Sequence, residues 1–255
     1  MNNNNKKKNA SYWLLYISLP IILIIIWQGF ALAGKLTPYT MPAPMTIITT
    51  TIEYIKDGTL FSDIGISFLR VLEGFLIALG LAFILGISVS IFPKFNTFTD
   101  LVIQILRPIP PIAWIPLAII WFGIGEGSKI FIIFFGAFFP IFLNTVDGVK
   151  NIDFKYLELA QVYEVPRLKM IKKIIIPGAL PSIMTGIRLG LGNAWVCVVA
   201  AEMIGATSGV GYMLANGRSL SRPDIVIIGM LIVGIVGKVM DDLLKLLRKK
   251  LIKWN

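Results

Sequence analysis

Between Trp13 and Leu244 the chain passes through six apolar stretches, each close to the length an α-helix needs to cross a bilayer. A hydrocarbon layer about 30 Å thick takes about 20 residues as helix. The stretches run from Trp13 to about Ala33, Val71 to Phe92, Leu101 to Phe122, Ile130 to Val146, Ile183 to Ile204 and Ile225 to Leu244. Composition agrees with a lipid environment. Of 255 residues, 56% are hydrophobic and 15% charged, and the mean hydropathy is +0.80. A soluble domain carries about 25% charged residues, so the polar surface here is too small to cover a water-soluble body of this size. The expected fold is therefore all-α and polytopic, with six transmembrane helices.

Residues that are missing narrow the chemistry. The chain has no histidine and a single cysteine, Cys197. This removes internal disulfides, thiolate zinc clusters and the Ser-His and Cys-His nucleophile pairs. No convergent polar cluster suggests a membrane-bound enzyme. The formal net charge of +10 does not point to nucleic acid, because the charges sit at the ends of apolar runs and not on a separate basic domain.

Those charges set an orientation. Cytoplasmic loops collect Lys and Arg. With the N-terminus inside, 18 of the 24 basic residues fall on the inner side and 6 on the outer, so both termini are expected in the cytoplasm. The first apolar stretch follows Lys6, Lys7 and Lys8, and Ala31-Leu32-Ala33 resembles a cleavage site. Its apolar length exceeds the 7–15 residues of a signal core, so it reads as a retained span. Residues 1–12 then form a cytoplasmic tail, and residues 13–255 one membrane domain with a cytoplasmic loop at 147–182. The outer loop, residues 34–70, begins with Pro38, Pro42 and Pro44. Its segment from Thr46 to Ile55 reads either as a short amphipathic helix resting on the surface or as a plain connector.

The cytoplasmic loop is the most informative segment. From Tyr156 to Tyr163, Leu157, Ala160 and Tyr163 share a helical face. Val165-Pro166 breaks that helix, since the residue before proline avoids the helical region. Pro166 then opens a second helix to Ile176, apolar at Leu168, Ile171 and Ile175, basic at Arg167, Lys169, Lys172 and Lys173, and ended by Pro177 and Pro181.

Glu158-Leu159-Ala160, the turn near Glu164, Ile176-Pro177 and Ala179-Leu180-Pro181 together resemble the EAA loop of binding-protein-dependent ABC importer permeases. Arg107 to Pro116 with Trp121-Phe122-Gly123-Ile124-Gly125 is similar to the third-helix region of the nitrate/sulfonate/taurine subfamily. So is Ala201-Glu202-Met203-Ile204-Gly205-Ala206 followed by Ser208 to Tyr212. Leu159 stands in place of an alanine of the signature, and Glu164 in place of its glycine, with Pro166 expected to supply the bend. The resemblance implies a type I ABC importer permease fold and a non-catalytic subunit that holds no cofactor. ATP and Mg would sit on cytoplasmic ABC ATPase partners. An extracytoplasmic binding protein would deliver the solute, a small anion such as an alkanesulfonate, taurine or nitrate, to a permease homodimer in the lipid bilayer. It also implies that Glu158, Leu159, Ala160, Tyr163, Glu164, Pro166 and Arg167 contact the ATPase. The alternative function is an ion-driven secondary transporter or channel.

Other residues remain as candidates. Prolines 108, 110, 111 and 116 disrupt the third stretch, so residues 108–116 either shape a translocation path or precede a helix that starts after Pro111. Trp114, Asn193, Trp195 and Glu202 are candidates to line that path. Glu73, Arg188 and Glu202 are charges within or beside spans, which makes them functional candidates by default. Glu202 is expected near the outer end of the fifth span, where water could reach it. Gly186, Gly190 and Gly192 form a small-residue face suited to close helix packing. Gly123 to Lys129 is glycine-rich but has Ser128 where a phosphate-binding loop needs glycine before lysine.

Overall fold

The computed structural model describes residues 3–37 and 39–252, with side chains from residue 18 onward. Pro38 and the Lys6–Lys8 side chains lie outside the described residues. The described residues are mainly helical, with no strand among them, so the all-α expectation holds. The helices are α1 (Asn3–Leu32), α2 (Pro44–Lys56), α3 (Thr59–Ile91), α4 (Pro93–Leu106), α5 (Ile115–Phe122), α6 (Glu126–Lys150), α7 (Phe154–Val162), α8 (Arg167–Met170), α9 (Ile176–Gly205), α10 (Val210–Ser219) and α11 (Pro223–Leu251).

Among the described residues, four segments are long and apolar enough to cross a membrane: α3, α6, residues 167–205 through α8 and α9, and α11. A fifth crossing exists if the bent pair of α4 and residues 111–122 counts as one span. The third apolar stretch is therefore not one straight helix. Its two halves differ in direction by 89°. The prolines explain the break. Pro108 and Pro110 lie between the halves, where the Ile109 amide bonds to Leu106 O and the Ala113 amide to Pro110 O in tight turns. Pro111 opens a 3₁₀ turn to Trp114, and Pro116 stands at the second position of α5, where a missing N–H breaks no helical bond. Helix thus resumes at Pro111.

A second correction concerns Pro177 and Pro181. They do not end the loop helix. Residues 171–175 form a π turn, and the chain then continues as α9 with Pro177 in its first turn and Pro181 inside. A π turn widens the helix by one residue, which relieves the proline ring of its clash with the preceding turn. The basic amphipathic segment and the fifth span are consequently one continuous rod. A third difference is the start of α3 at Thr59, which moves Arg70 from the expected loop into a helix interior.

The chain divides into two compact units, one of residues 1–61 and 213–231, the other of residues 62–212 and 232–255. In the first, α2 is a helix, buried along Pro44, Ile47 and Thr50 and exposed along Met45, Ile48, Ile52 and Ile55. Thr50 donates to the Asp224 carboxylate at 2.9 Å, and Arg222 pairs with the same carboxylate at 2.7 Å. Gly217 packs on Ile225 and Gly229 on Leu214, closing α10 against the start of α11.

In the second unit α6 is central and packs mainly on α9. Glycines set this spacing. A Cβ at Gly186 would stand 2.9 Å from Pro140 O, one at Gly190 3.0 Å from Ala137 O, and one at Gly136 2.5 Å from the Cys197 sulfur. Gly74 and Gly86 of α3 likewise receive Ile133 and Thr145 of α6. Backbones this close gain dispersion contacts that lipid cannot match. Gly192, expected on the same packing face, has nothing within 4 Å and points away from it. Gly190→Val should therefore destabilise the chain in detergent by the roughly 1–3 kcal/mol typical of overpacking, read as a lower unfolding temperature. Gly192→Ala should leave it unchanged or raised. Fluorescence-detected thermal unfolding of the purified variants measures both.

Candidate functional site

Two regions carry polar chemistry: a buried charge network at the α9 C-terminal end, and the loop between α6 and α9.

The network is built on Arg70 of α3. Its Nε and Nη2 donate to the two carboxylate oxygens of Glu126, at 2.6 and 2.7 Å, in a bidentate pair. Its Nη1 donates to Glu202 and to Ser208 O, both at 2.8 Å. Lys129 adds a second cation to Glu126 at 2.9 Å. Glu202 is 1% exposed, so water does not solvate it as expected for an interfacial residue. Ser67 and the Gly211 amide also donate to it, each at 2.8 Å. A buried carboxylate survives only with this kind of compensation.

The same groups hold the link between α9 and α10. The Gly209 amide donates to Asp63 at 2.7 Å and the Val210 amide to Ser67 at 2.9 Å. Gly209 adopts φ +110°, and a Cβ there would stand 2.5 Å from the Glu202 carboxylate. Glycine is required twice over, for conformation and for room. Of this network the sequence pointed only to Glu202. Arg70 and Lys129 read as outer-loop cations, yet they are 6% and 5% exposed. Arg70→Gln should lower the unfolding temperature by roughly 10 °C, because it strands Glu202. Adding Glu202→Gln should return part of that loss. If the double variant is simply the sum of the two singles, the coupling is absent.

The loop is ordered by local hydrogen bonds. Asp153 caps α7 through the Lys155 amide at 3.0 Å. At the other end the Glu164 amide bonds to Gln161 O at 2.9 Å and the Val165 amide to Ala160 O at 2.9 Å, which is the Schellman pattern. Glu164 takes φ +49°. The bend therefore falls at the position of the expected glycine, and Pro166 follows it with an extended backbone. A non-glycine residue there costs about 1–2 kcal/mol. Ala160 is 4% exposed and Leu157 half-buried, whereas Tyr163 is 77% exposed and leaves the face they share. Glu158, Leu159, Glu164, Pro166 and Arg167 are all exposed. The Val165 amide, bonded to Ala160 O, should exchange slowly; Glu164→Gly should keep that rate, and Glu164→Val should accelerate it at least about fivefold, since β-branched residues fit a positive φ poorly.

The remaining candidates separate. Trp195 is 3% exposed and its indole donates to Val233 O at 2.9 Å, fastening α9 to α11. Trp114 is half-buried and stacks on Phe135 at 4.8 Å between ring centroids. Its indole nitrogen is buried and lacks a hydrogen-bond partner. Asn193, Glu73 and Arg188 are exposed. Among the described residues no group of three or more His, Cys, Asp or Glu is arranged to hold a metal ion.

The family described as binding-protein-dependent transport system inner membrane component matches residues 74–253. The chain belongs to this family. It is an ABC transporter permease, a multi-pass protein of the bacterial inner membrane. It is 41% identical to an aliphatic sulfonates transport permease protein, SsuC, of Bacillus subtilis, over 95% of this chain and 88% of that protein. It is 31% identical to the taurine transport system permease protein TauC of Escherichia coli, over 94% of this chain and 90% of that one. The bicarbonate transport system permease protein CmpB of Synechococcus elongatus is also 31% identical, over 90% and 86% respectively. These relatives place the permease in the nitrate/sulfonate/taurine subfamily. In fold it is similar to the inward-facing MetNI methionine ABC transporter, with a TM-score of 0.65, 16% identity, and coverage of 79% of this chain and 98% of that one.

Proposed function

We propose that this permease forms the gated path of an ATP-driven importer for a small anionic solute such as an alkanesulfonate, taurine or nitrate. It pairs with a second copy, receives solute from an extracytoplasmic binding protein, and docks two cytoplasmic ABC ATPases that bind ATP and Mg. The chain itself hydrolyses nothing. In this reading it has six spans within one membrane domain, residues 13–255. The first span lies in α1 and the third is the bent α4–α5 pair, and both termini and the loop at 147–182 are cytoplasmic.

The observation that carries the reading is the surface of that loop. Leu159, Val162 and Tyr163 are 53%, 77% and 77% exposed on a segment outside the long apolar helices, and Leu168 is 65% exposed at the start of the one that follows. Exposed apolar side chains clustered beside Glu158, Glu164 and Arg167 suit a protein partner. The π turn supports the mechanical part. Because α8, the π turn and α9 form one rod, a push on Arg167 or Pro166 reaches the membrane without a hinge. Glu158, Leu159, Ala160, Tyr163, Glu164, Pro166 and Arg167 are the proposed coupling residues, with Ala160 seating α7 from beneath. Asn193 is the proposed wall residue of the path. Trp114, Trp195 and Glu202, being wholly or partly buried, support that wall from behind. The names of the relatives concern sulfonates, taurine and bicarbonate, and these favour an anionic solute here.

Purification of the tagged chain in mild detergent should bring down an ABC ATPase at about one copy per permease. Glu158→Lys should reduce uptake by at least about tenfold with the amount of chain in the membrane unchanged, and should weaken ATPase retention. Uptake driven by an ion gradient in liposomes holding this chain alone would replace this reading with an ion-driven carrier.

A further inference from the structure

The reading above leaves Arg188 without a role. Arg188 of α9 pairs with Asp241 of α11 through Nε and Nη2, the latter at 3.1 Å. Asp241 also meets Lys245 at 2.7 Å, and Asp242 meets Lys245 at 3.1 Å and Lys238. These charges are not buried inside the unit. The side chains of Arg188, Lys238, Asp242 and Lys245 are 41%, 61%, 45% and 45% exposed.

Their depth makes this unusual. Glu202 stands one turn from the end of α9, and Arg188 lies fourteen residues before it, about 21 Å along the helix axis. In a layer about 30 Å thick bounded near Glu202, Arg188 falls within the hydrocarbon. Asp241 lies seven residues, or about 10 Å, inward of Arg248 to Lys250 on α11. Exposed ions at this depth face a water-filled space or a protein partner, not acyl chains. One turn on stands Gly192, beside which nothing lies within 4 Å, and next to it exposed Asn193, on a broad exposed side of α9 that also carries Leu189 and Val196.

We infer that Arg188, Gly192 and Asn193 form an aqueous face of the solute path, and that Arg188, held by Asp241, gives it an anion-selecting potential. This rests on the permease reading and deepens it. Three cations against two carboxylates leave one positive charge in the cluster. The Asp241 clamp fixes the guanidinium in place and keeps an anion from binding too tightly to leave, since the guanidinium's strongest donors are already engaged. Gly192 keeps the wall beside it free of side chain.

The buried single cysteine makes a direct test possible, since Cys197→Ala supplies a thiol-free background. Asn193→Cys, Gly192→Cys and, as a loop reference, Tyr156→Cys (60% exposed and outside the proposed coupling set) are introduced singly into the full-length chain in inside-out membrane vesicles. Labelling rates are measured with two membrane-impermeant methanethiosulfonates, one bearing a sulfonate and one a trimethylammonium group. Asn193→Cys and Gly192→Cys should react within about tenfold of the loop reference, and faster with the sulfonate reagent. Adding Arg188→Gln to Asn193→Cys should shift the ratio of the two rates about tenfold toward the cationic reagent. Adding Asp241→Asn should shift it the opposite way. Absence of labelling at 192 and 193 while the loop reference reacts means that protein or lipid covers this face, and overturns the inference. So does labelling whose charge ratio ignores Arg188. Both outcomes are independent of ATPase co-purification, so this inference can fail while the importer reading stands, and the reverse.

Discussion

Hydrocarbon supplies no hydrogen-bond partner, and most of this structure follows from that deficit. Every amide in the spans must be paired within the chain, which leaves helix as the available backbone and forces each irregularity to be locally repaired. Pro108, Pro110 and Pro111 are confined to a break closed by its own tight turns. Pro177 follows directly on a π turn.

The same deficit explains why the interior is held by two different means. Along the lengths of α3, α6 and α9 there is no hydrophobic force to bring helices together, because lipid is as apolar as the side chains. Contact there depends on glycines that let backbones meet. At the α9 terminus the chain must turn into α10, and the amides of 209–211 lose their helical partners. Glu202, Ser67 and Asp63 replace them, and Arg70 neutralises the carboxylate that this repair buries. Ion pairing there is a consequence of satisfying backbone, not an independent source of stability.

Outside the spans, water returns and local rules suffice. α7 has an aspartate cap at one end and a Schellman close at the other, both built within the thirteen residues from Asp153 to Val165. The left-handed Glu164 tolerates its strain because the two carbonyls of Gln161 and Ala160 would otherwise go unpaired. Its carboxylate is also left pointing from a rigid corner, as an exposed group on a surface suited to a partner.

Apolar run length determined the helical class, the long spans and the exclusion of soluble and nucleic-acid-binding folds. Charge spacing and the motifs around Glu158 and Pro177 determined the family. All of these depend on neighbours within a few turns along the chain. Tertiary structure decided what depends on residues far apart in sequence. Arg70 reads as a loop cation because nothing nearby reveals Glu126 and Glu202 as its partners, whereas Lys129 has Glu126 three residues away and only its burial had to wait for the fold. Gly186 and Gly192 look alike in sequence, but only the placement of Pro140 makes one a contact and the other open space. Arg188 signalled a function by its charge and depth alone, while Asp241, fifty-three residues away, became visible as its partner only when α9 and α11 were brought side by side.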